Sequence, residues 1–248
     1  MEWSDEGVVL TARPHGEGAA ILVLLTCERG RHAGLLRGAN SPRIRGTLQP
    51  GNRVQATWKA RLAEHLGTYQ VELTKSHAPE LFDDPLKLAG LAAALAVTDR
   101  SLPEREPYST IYRGFLALIA TMEQVEFGTA WVAAYVRWEL GLLGELGFGL
   151  DLSRCAATGS GSDLAYVSPR TGRAVSLSTG EPYRDKLLTL PGFLSDRGGG
   201  DDADLIAGLE LTGFFLERYV FGAHGEQLPA ARGRFFERLR DKSVSSHM

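Results

Sequence analysis

The hydrophobic period of this 248-residue chain changes once, near residue 80, and that change limits the fold more than any other feature. Before it, apolar residues alternate with a period of two. Gly7–Arg13 sets Val8, Leu10 and Ala12 against Val9, Thr11 and Arg13, and the turn residues Pro14 to Gly18 follow. Ala19–Cys27 is a continuous apolar run, as a strand buried on both faces would be, and Glu28-Arg29-Gly30 turns the chain into a third strand, Arg31–Arg37. Gly38 to Asn52 reads as a polar loop closed by Pro50-Gly51-Asn52. Arg53–Leu62 then puts Val54, Ala56, Trp58, Ala60 and Leu62 on one face and Arg53, Gln55, Thr57, Lys59 and Arg61 on the other. A fifth strand turns Tyr69, Val71 and Leu73 inward. Five short strands in about seventy residues fit a small barrel of the OB type, with an SH3-like barrel as the competitor that strand count alone leaves open.

From Asp83 the period is helical. Asp84-Pro85 supplies an N-cap and first-turn proline for a helix to about Thr98. Pro103 and Pro107 interrupt, and helices are expected over Tyr108–Val125 and Thr129–Leu146, the latter stopped by Gly147. Residues 153–182 are rich in Gly, Ser and Thr and read as an irregular or β-hairpin insertion. Helical pattern resumes at Asp185–Leu194, Asp202–Phe221 and Pro229–Arg240, with a glycine loop at Gly198-Gly199-Gly200 and a frayed tail at Ser243–Met248. The expected architecture is therefore α+β: a five-stranded OB-type barrel over 1–79 and a helical domain over 80–248 that carries the insertion.

Charge divides along the same boundary. The net charge of −3 conceals +3 on residues 1–78 and −6 on the rest. Arg29 to Ala63 holds Arg29, Arg31, Arg37, Arg43, Arg45, Arg53, Lys59 and Arg61 with no Asp or Glu. Such asymmetry points to a polyanion partner for the barrel, against the plainer reading of a solvated arginine surface. Arg53, Lys59 and Arg61 converge on one strand face, Arg37 ends the preceding strand, and Arg43 and Arg45 sit in the loop. These six are the candidate residues for binding that polyanion. Trp58 shares parity with Val54 and belongs in the barrel core, so backbone electrostatics is favoured over base stacking.

Enzymatic signatures are missing. The sequence has no phosphate-binding G-x-x-x-x-G-K-[ST], no G-x-S-x-G and no H-E-x-x-H. Gly159-Ser160-Gly161 reads as a turn, and Asp201-Asp202 as a solvated helix N-terminus. The histidines His15, His32, His65, His77, His224 and His247 lack metal-ligand spacing and read as surface or barrel-rim residues. Phe115, Phe127, Trp131, Trp138 and Phe148 fall in or beside helices and read as core. The acidic start predicts no signal peptide, and no apolar run approaches a membrane span. Cys27 and Cys155 predict no disulfide and a cytoplasmic protein.

Several segments resemble the RecO recombination-mediator family. Asp5-Glu6-Gly7-Val8-Val9-Leu10 with Arg13-Pro14-His15-Gly16-Glu17 is similar to its first two strands, and Arg37-Gly38-Ala39-Asn40-Ser41 with Leu48-Gln49-Pro50-Gly51 to its third strand and basic loop. Arg137-Trp138-Glu139-Leu140 followed by Leu142 to Leu150 resembles its most recognisable helix. Cys155-Ala156-Ala157-Thr158-Gly159, Tyr166-Val167-Ser168-Pro169 and Thr171 to Val175 resemble the insertion after it. These segments fall in order over about residues 5–180.

The resemblance implies a non-enzymatic DNA-repair and recombination protein, cytoplasmic and nucleoid-associated. It implies binding to single- and double-stranded DNA, annealing of complementary strands, partnership with RecR and contact with the acidic C-terminal tail of single-stranded-DNA-binding protein. Together these load the RecA recombinase. For the acidic, Phe-ending tail Arg137 is the candidate partner-binding residue, beside Trp138, Leu140 and Leu142; the alternative is a surface pair with Glu139 or Glu145. Some members hold zinc in the insertion through two Cys-x-x-Cys pairs. Here one pair is reduced to Cys155-x-x-Thr158 and no cysteine follows, so neither a metal nor any other cofactor is expected. The competing function is an RNA-binding or ribosome-associated OB-fold protein, which competition between matched RNA and DNA oligonucleotides would reveal.

Overall fold

Strand β1, Glu2–His15, is the spine of the N-terminal half in the computed structural model, which describes residues 1–77, 81, 83–124, 128–195 and 197–245. It pairs antiparallel with β2, Ala19–Thr26, through its second half and with β4, Arg53–Lys59, through its first. β2 continues to β3, Gly30–Arg37, and β4 to β5, Thr68–Lys75, both antiparallel. The ring closes where β3 meets β5 in parallel, over Leu35↔Thr68 and Leu36↔Tyr69. A short helix, α1, Pro42–Thr47, lies between β3 and β4. This strand order, with a helix at that position, is the OB arrangement, and it decides against the SH3-like alternative.

The barrel core is the inward set of the alternating strands: Val9, Leu22, Leu24, Leu36, Val54, Ala56, Trp58 and Tyr69. Trp58 is buried and donates its indole N–H to the Leu66 carbonyl at 2.9 Å, so its single polar atom is satisfied. Two glycines make room for these rings. A Cβ at Gly34 would stand 2.4 Å from the Tyr69 ring, and one at Gly67, whose φ is +64°, would stand 2.4 Å from Trp58.

Three sequence expectations change here. β4 stops at Lys59, so Arg61 and Leu62 lie in the loop beyond it, and Leu62 is exposed. Leu73 is exposed as well, although it pairs with the buried Val54. The stretch Gly38 to Asn52 is not all loop: Ser41 accepts a hydrogen bond from the Ile44 N–H and Pro42 opens α1, the same cap-and-proline device as Asp84-Pro85.

The chain divides into two units, Met1–Glu123 and Gln124–Met248. The first contains the barrel and two helices, α2, Pro85–Ser101, and α3, Ser109–Glu123. Asp84 caps α2, accepting from the N–H groups of Leu86 and Lys87. α2 is apolar on nearly every side and correspondingly buried, whereas α3 buries one stripe, Ile111, Tyr112, Phe115, Leu118, Ile119 and Met122. Ion pairs fasten both helices to the barrel. Arg31 Nε meets Asp99 Oδ1 on α2 at 2.9 Å, and Lys75 Nζ meets Glu123 Oε2 on α3 at 2.8 Å, with His77 hydrogen-bonded to the other Glu123 oxygen. Val125 and Phe127, expected near the end of a helix, lie outside the described residues.

In the second unit α4, Trp131–Glu145, ends in a Schellman turn. Gly147 has φ +87°, its N–H donates to Gly144 O at 3.0 Å, and the Phe148 N–H reaches back to Leu143 O at 2.7 Å. The insertion forms a three-stranded sheet, β7-β6-β8, from β6, Leu164–Val167, β7, Ala174–Ser176, and β8, Leu188–Thr189. A turn of helix, α5, Leu177–Gly180, runs into a tighter 3-10 turn over Glu181–Lys186. The helix expected over Asp185–Leu194 is therefore absent. Leu188–Thr189 pairs with Tyr166–Val167, and Pro191, which has no N–H, blocks helical continuation. α6, Asp202–Phe215, is capped by Asp201 and widens into a π-helical turn over Leu216–Phe221; α7, Ala230–Ser245, closes the unit. Trp131, Tyr135 and Phe235 pack at its centre, with the Trp131 and Phe235 rings stacked 5.4 Å apart.

Candidate nucleic-acid interface

Asn52 organises the basic end of the barrel. It is fully buried, and its side-chain amide donates to the Gly46 carbonyl at 2.9 Å and the Thr47 carbonyl at 3.4 Å, satisfying the C-terminal end of α1. Its side-chain oxygen accepts from Ser76 Oγ and the His77 N–H, while its own carbonyl accepts from the Val9 N–H at 2.9 Å. α1 is thereby tied to β1 and to the end of β5. Ile44 packs on the barrel core, so Arg43 and Arg45, one residue to either side, are left exposed.

The structure brings Arg37, Arg43 and Arg45 to the same region. Arg45 lines a groove with Ala19, Ala20 and Pro50, and Ala19 is the register partner of Arg37. All three arginines are exposed, and none makes a side-chain hydrogen bond or ion pair among the described residues. Arg61 is also exposed and, among the described residues, unpaired, but it lies past the end of β4, beside the start of β1 rather than its finish.

Arg53 and Lys59 stand differently. The expectation that no acid competes for the basic run fails, because acids arrive from other strands. Arg53 Nη2 is 2.5 Å from Glu6 Oε2, and Lys59 Nζ is 3.0 Å from Glu2 Oε1, both on β1. Arg31 is likewise taken by Asp99. The antiparallel register of β1 on β4 places the two acids beside the two cations.

Sequence reasoning passed over the opposite end of β1. Trp3 is the register partner of Trp58, and the two rings stack with centroids 5.7 Å apart and 21° between planes. His32, expected at the surface or the barrel rim, is buried against both, its ring 4.9 Å from Trp3 and 5.0 Å from Trp58, with Nδ1 2.9 Å from the Tyr69 hydroxyl. Burial, with the Arg105 charge nearby, lowers the His32 pKa to about 4, so the ring is neutral at neutral pH. His77 is buried too. His247 lies outside the described residues. The alternation Glu2, Trp3, Ser4, Asp5 was the available signal that β1 starts this early.

In the second unit Arg137 sits in the middle of α4. Its guanidinium donates to the Phe193 carbonyl at 2.8 Å and lies 5.3 Å from the Phe193 ring centre; Glu139 is engaged elsewhere, by Arg232. Phe115, Trp131 and Trp138 are core as expected, but Phe148 is 38% exposed and stacks on Tyr219 at 5.8 Å. Phe148, Tyr219, Phe215 and Arg170 line a cleft of about 230 Å³. Cys155 is buried, its sulfur accepting from the Ser176 N–H at 3.3 Å; neither cysteine is in a disulfide. Among the described residues no three His, Cys, Asp or Glu side chains gather as metal ligands, and no helix is long and apolar enough to cross a membrane.

Residues 1–77 match the family profile described as Recombination protein O N terminal, and residues 83–227 the one described as Recombination protein O C terminal. The DNA repair protein RecO of Rhodospirillum centenum is 53% identical over 248 residues, covering 99% of this chain and 98% of that one. Its counterpart in Rhodospirillum rubrum is 52% identical over 249 residues, covering 99% of each chain. The protein of the same name in Caulobacter vibrioides is 52% identical over 242 residues, covering 97% of this chain and 98% of its own.

Proposed function

The chain belongs to the recombination protein O family, and from that premise we propose that it is a DNA-repair mediator that acts by binding rather than by chemistry. Its relatives carry the name DNA repair protein, which supports the DNA-repair role at the level of the whole chain. On this reading residues 1–79 hold nucleic acid and residues 80–248 hold protein partners. Arg37, Arg43 and Arg45 neutralise phosphates of single- or double-stranded DNA, with Arg61 as a further contact and Arg53 and Lys59 as weaker ones that must first leave Glu6 and Glu2. Two backbones brought to one basic surface lose their mutual repulsion, and complementary strands anneal.

The observation that carries this reading is the set of exposed arginines at the end of β3 and on α1, unpaired among the described residues, with α1 held in place by Asn52. The second unit supplies the tether. Arg137 beside Phe193, or the cleft of Phe148, Tyr219 and Arg170, offers a cation next to aromatic surface, the combination that an acidic tail ending in phenylalanine requires. Recruitment through that tail, with RecR, would deliver RecA to coated single strands in the cytoplasm, at the nucleoid.

The test is strand annealing on complementary DNA coated with the cognate single-stranded-DNA-binding protein. The protein should accelerate annealing over the spontaneous rate, and simultaneous Arg37→Glu, Arg43→Glu and Arg45→Glu should abolish the acceleration. Annealing no faster than the spontaneous rate would refute the mediator reading.

A further inference from the structure

A cavity of about 400 Å³ opens at the end of the barrel where β1 begins, lined by Trp3, Arg29, His32, Trp58, Ala63 and Arg105 together with the first two residues of the chain. Its size is within the range of small-ligand pockets, roughly 300–1,000 Å³. Trp3 is half-buried: one side stacks on Trp58, while the edges of His32 and Tyr69 meet it at 83° and 80°. Those three neighbours fix the plane of the indole and leave its remaining surface facing the cavity. It shares the inward face of Trp58 and is reached through the open end of the barrel.

The cavity also carries cations. Arg29 sits on the exposed β2–β3 turn with its guanidinium 5.8 Å from the Trp3 ring centre, and its side chain has no hydrogen bond or ion pair among the described residues. Arg105 adopts φ +66°, a conformation that residues other than glycine seldom take. Its N–H donates to Arg31 O at 2.7 Å, and its guanidinium donates to the carbonyls of Ala63 and His65, which holds the β4–β5 loop as the cavity wall. The acids nearby are engaged: Glu2 with Lys59, Glu104 with Arg105 and Arg31.

We propose that this cavity receives one unstacked base of a single strand, laid on Trp3, with Arg29 moving from the ring to the outer face of the base or to its phosphate. The inference rests on the DNA-binding reading above and adds a contact that duplex DNA, with its bases stacked, cannot make. It places the base site at the opposite end of β1 from Arg37, Arg43 and Arg45, so one strand can be held by a base while another is held by its phosphates.

The experiment titrates the full chain with oligothymidylate and with a base-free phosphodiester backbone of the same length, following tryptophan fluorescence. The wild type should bind oligothymidylate about tenfold tighter, the scale of one stacked base, with quenching that the base-free polymer does not produce. Trp3→Ala and Arg29→Ala should each erase most of that preference, and Trp3→Phe should keep most of it. Because Trp3 also packs on Trp58, Arg29→Ala carries the test if Trp3→Ala fails to fold. Equal wild-type affinity for the two polymers, or a preference that survives both alanine variants, would overturn the pocket while leaving backbone binding standing. Failure to bind either polymer would remove the DNA-binding reading and the pocket with it.

Discussion

Glu139 on α4 and Arg232 on α7, 93 residues apart in sequence, form a two-pronged ion pair in which both side chains are buried. Arg232 Nε reaches Oε1 at 2.7 Å and Nη2 reaches Oε2 at 3.0 Å; Thr212 donates to the carboxylate, and the Leu209 carbonyl accepts from Nη2 at 2.8 Å. Removing one partner strands a buried charge, so Arg232→Met should cost about 3–5 kcal/mol of unfolding free energy. The double variant Glu139→Leu/Arg232→Met should recover most of that loss. Urea denaturation of the two variants and the wild type makes the comparison.

The salt dependence of duplex binding should separate the free cations from the paired ones. Each phosphate contact contributes a slope of about −0.9 in log affinity against log salt. Arg37→Ala, Arg43→Ala and Arg45→Ala should each flatten the slope by up to about one unit, uniformly across DNA sequences. Arg53→Ala, which frees Glu6 as it removes a cation already neutralised, should change it much less. Equal effects from all four would mean that the Glu6 contact opens readily when DNA binds.

Stability should fall as the pH drops through the range of His32. Its folded pKa lies near 4, below the ordinary 6.5, so the folded chain resists a proton that the unfolded chain takes up. The contribution is complete above pH 6.5 and is lost progressively from there down to about 4. Urea midpoints measured across this interval should decline more steeply for the wild type than for His32→Asn. Parallel curves would show that the folded ring takes up its proton at the ordinary pKa, as the unfolded one does.

Arg137→Glu should abolish binding of an acidic, Phe-ending peptide, read by fluorescence anisotropy, while circular dichroism stays unchanged. The guanidinium is exposed, and its hydrogen bond and its ring contact are both with Phe193, so reversing its charge costs little in the fold. Unchanged peptide affinity would exclude Arg137 and direct attention to the Phe148 cleft, where Phe148→Ala is the matching variant.

Local pattern was legible in the sequence, and long-range register was not. The alternation of Val54, Ala56 and Trp58 gave the inward face of β4, and Asp84-Pro85 gave the start of α2. The identical signal in Ser41-Pro42 passed as loop because only six residues follow before the chain turns again, too few for a helical period to show. The freedom of Arg53 and Lys59 was misjudged because Glu6 and Glu2 sit about fifty residues away in sequence and reach them only once β1 lies on β4. Trp3 was missed for the same reason: nothing local says that an aromatic near the chain start stacks on Trp58.

The parallel seam between β3 and β5, two residue pairs long, orders events in time as well as in space. β1, β2 and β3 follow one another through tight turns and can pair as soon as they are made. The seam has to wait for α1 and β4 and for the turn at Gly67, because parallel neighbours cannot be joined by a hairpin. The barrel thus closes at its shortest ladder. Arg37, one residue beyond the seam on β3, is held instead by its pairing with Ala19, so the basic end of the barrel rests on the long β2–β3 ladder and not on this short closure.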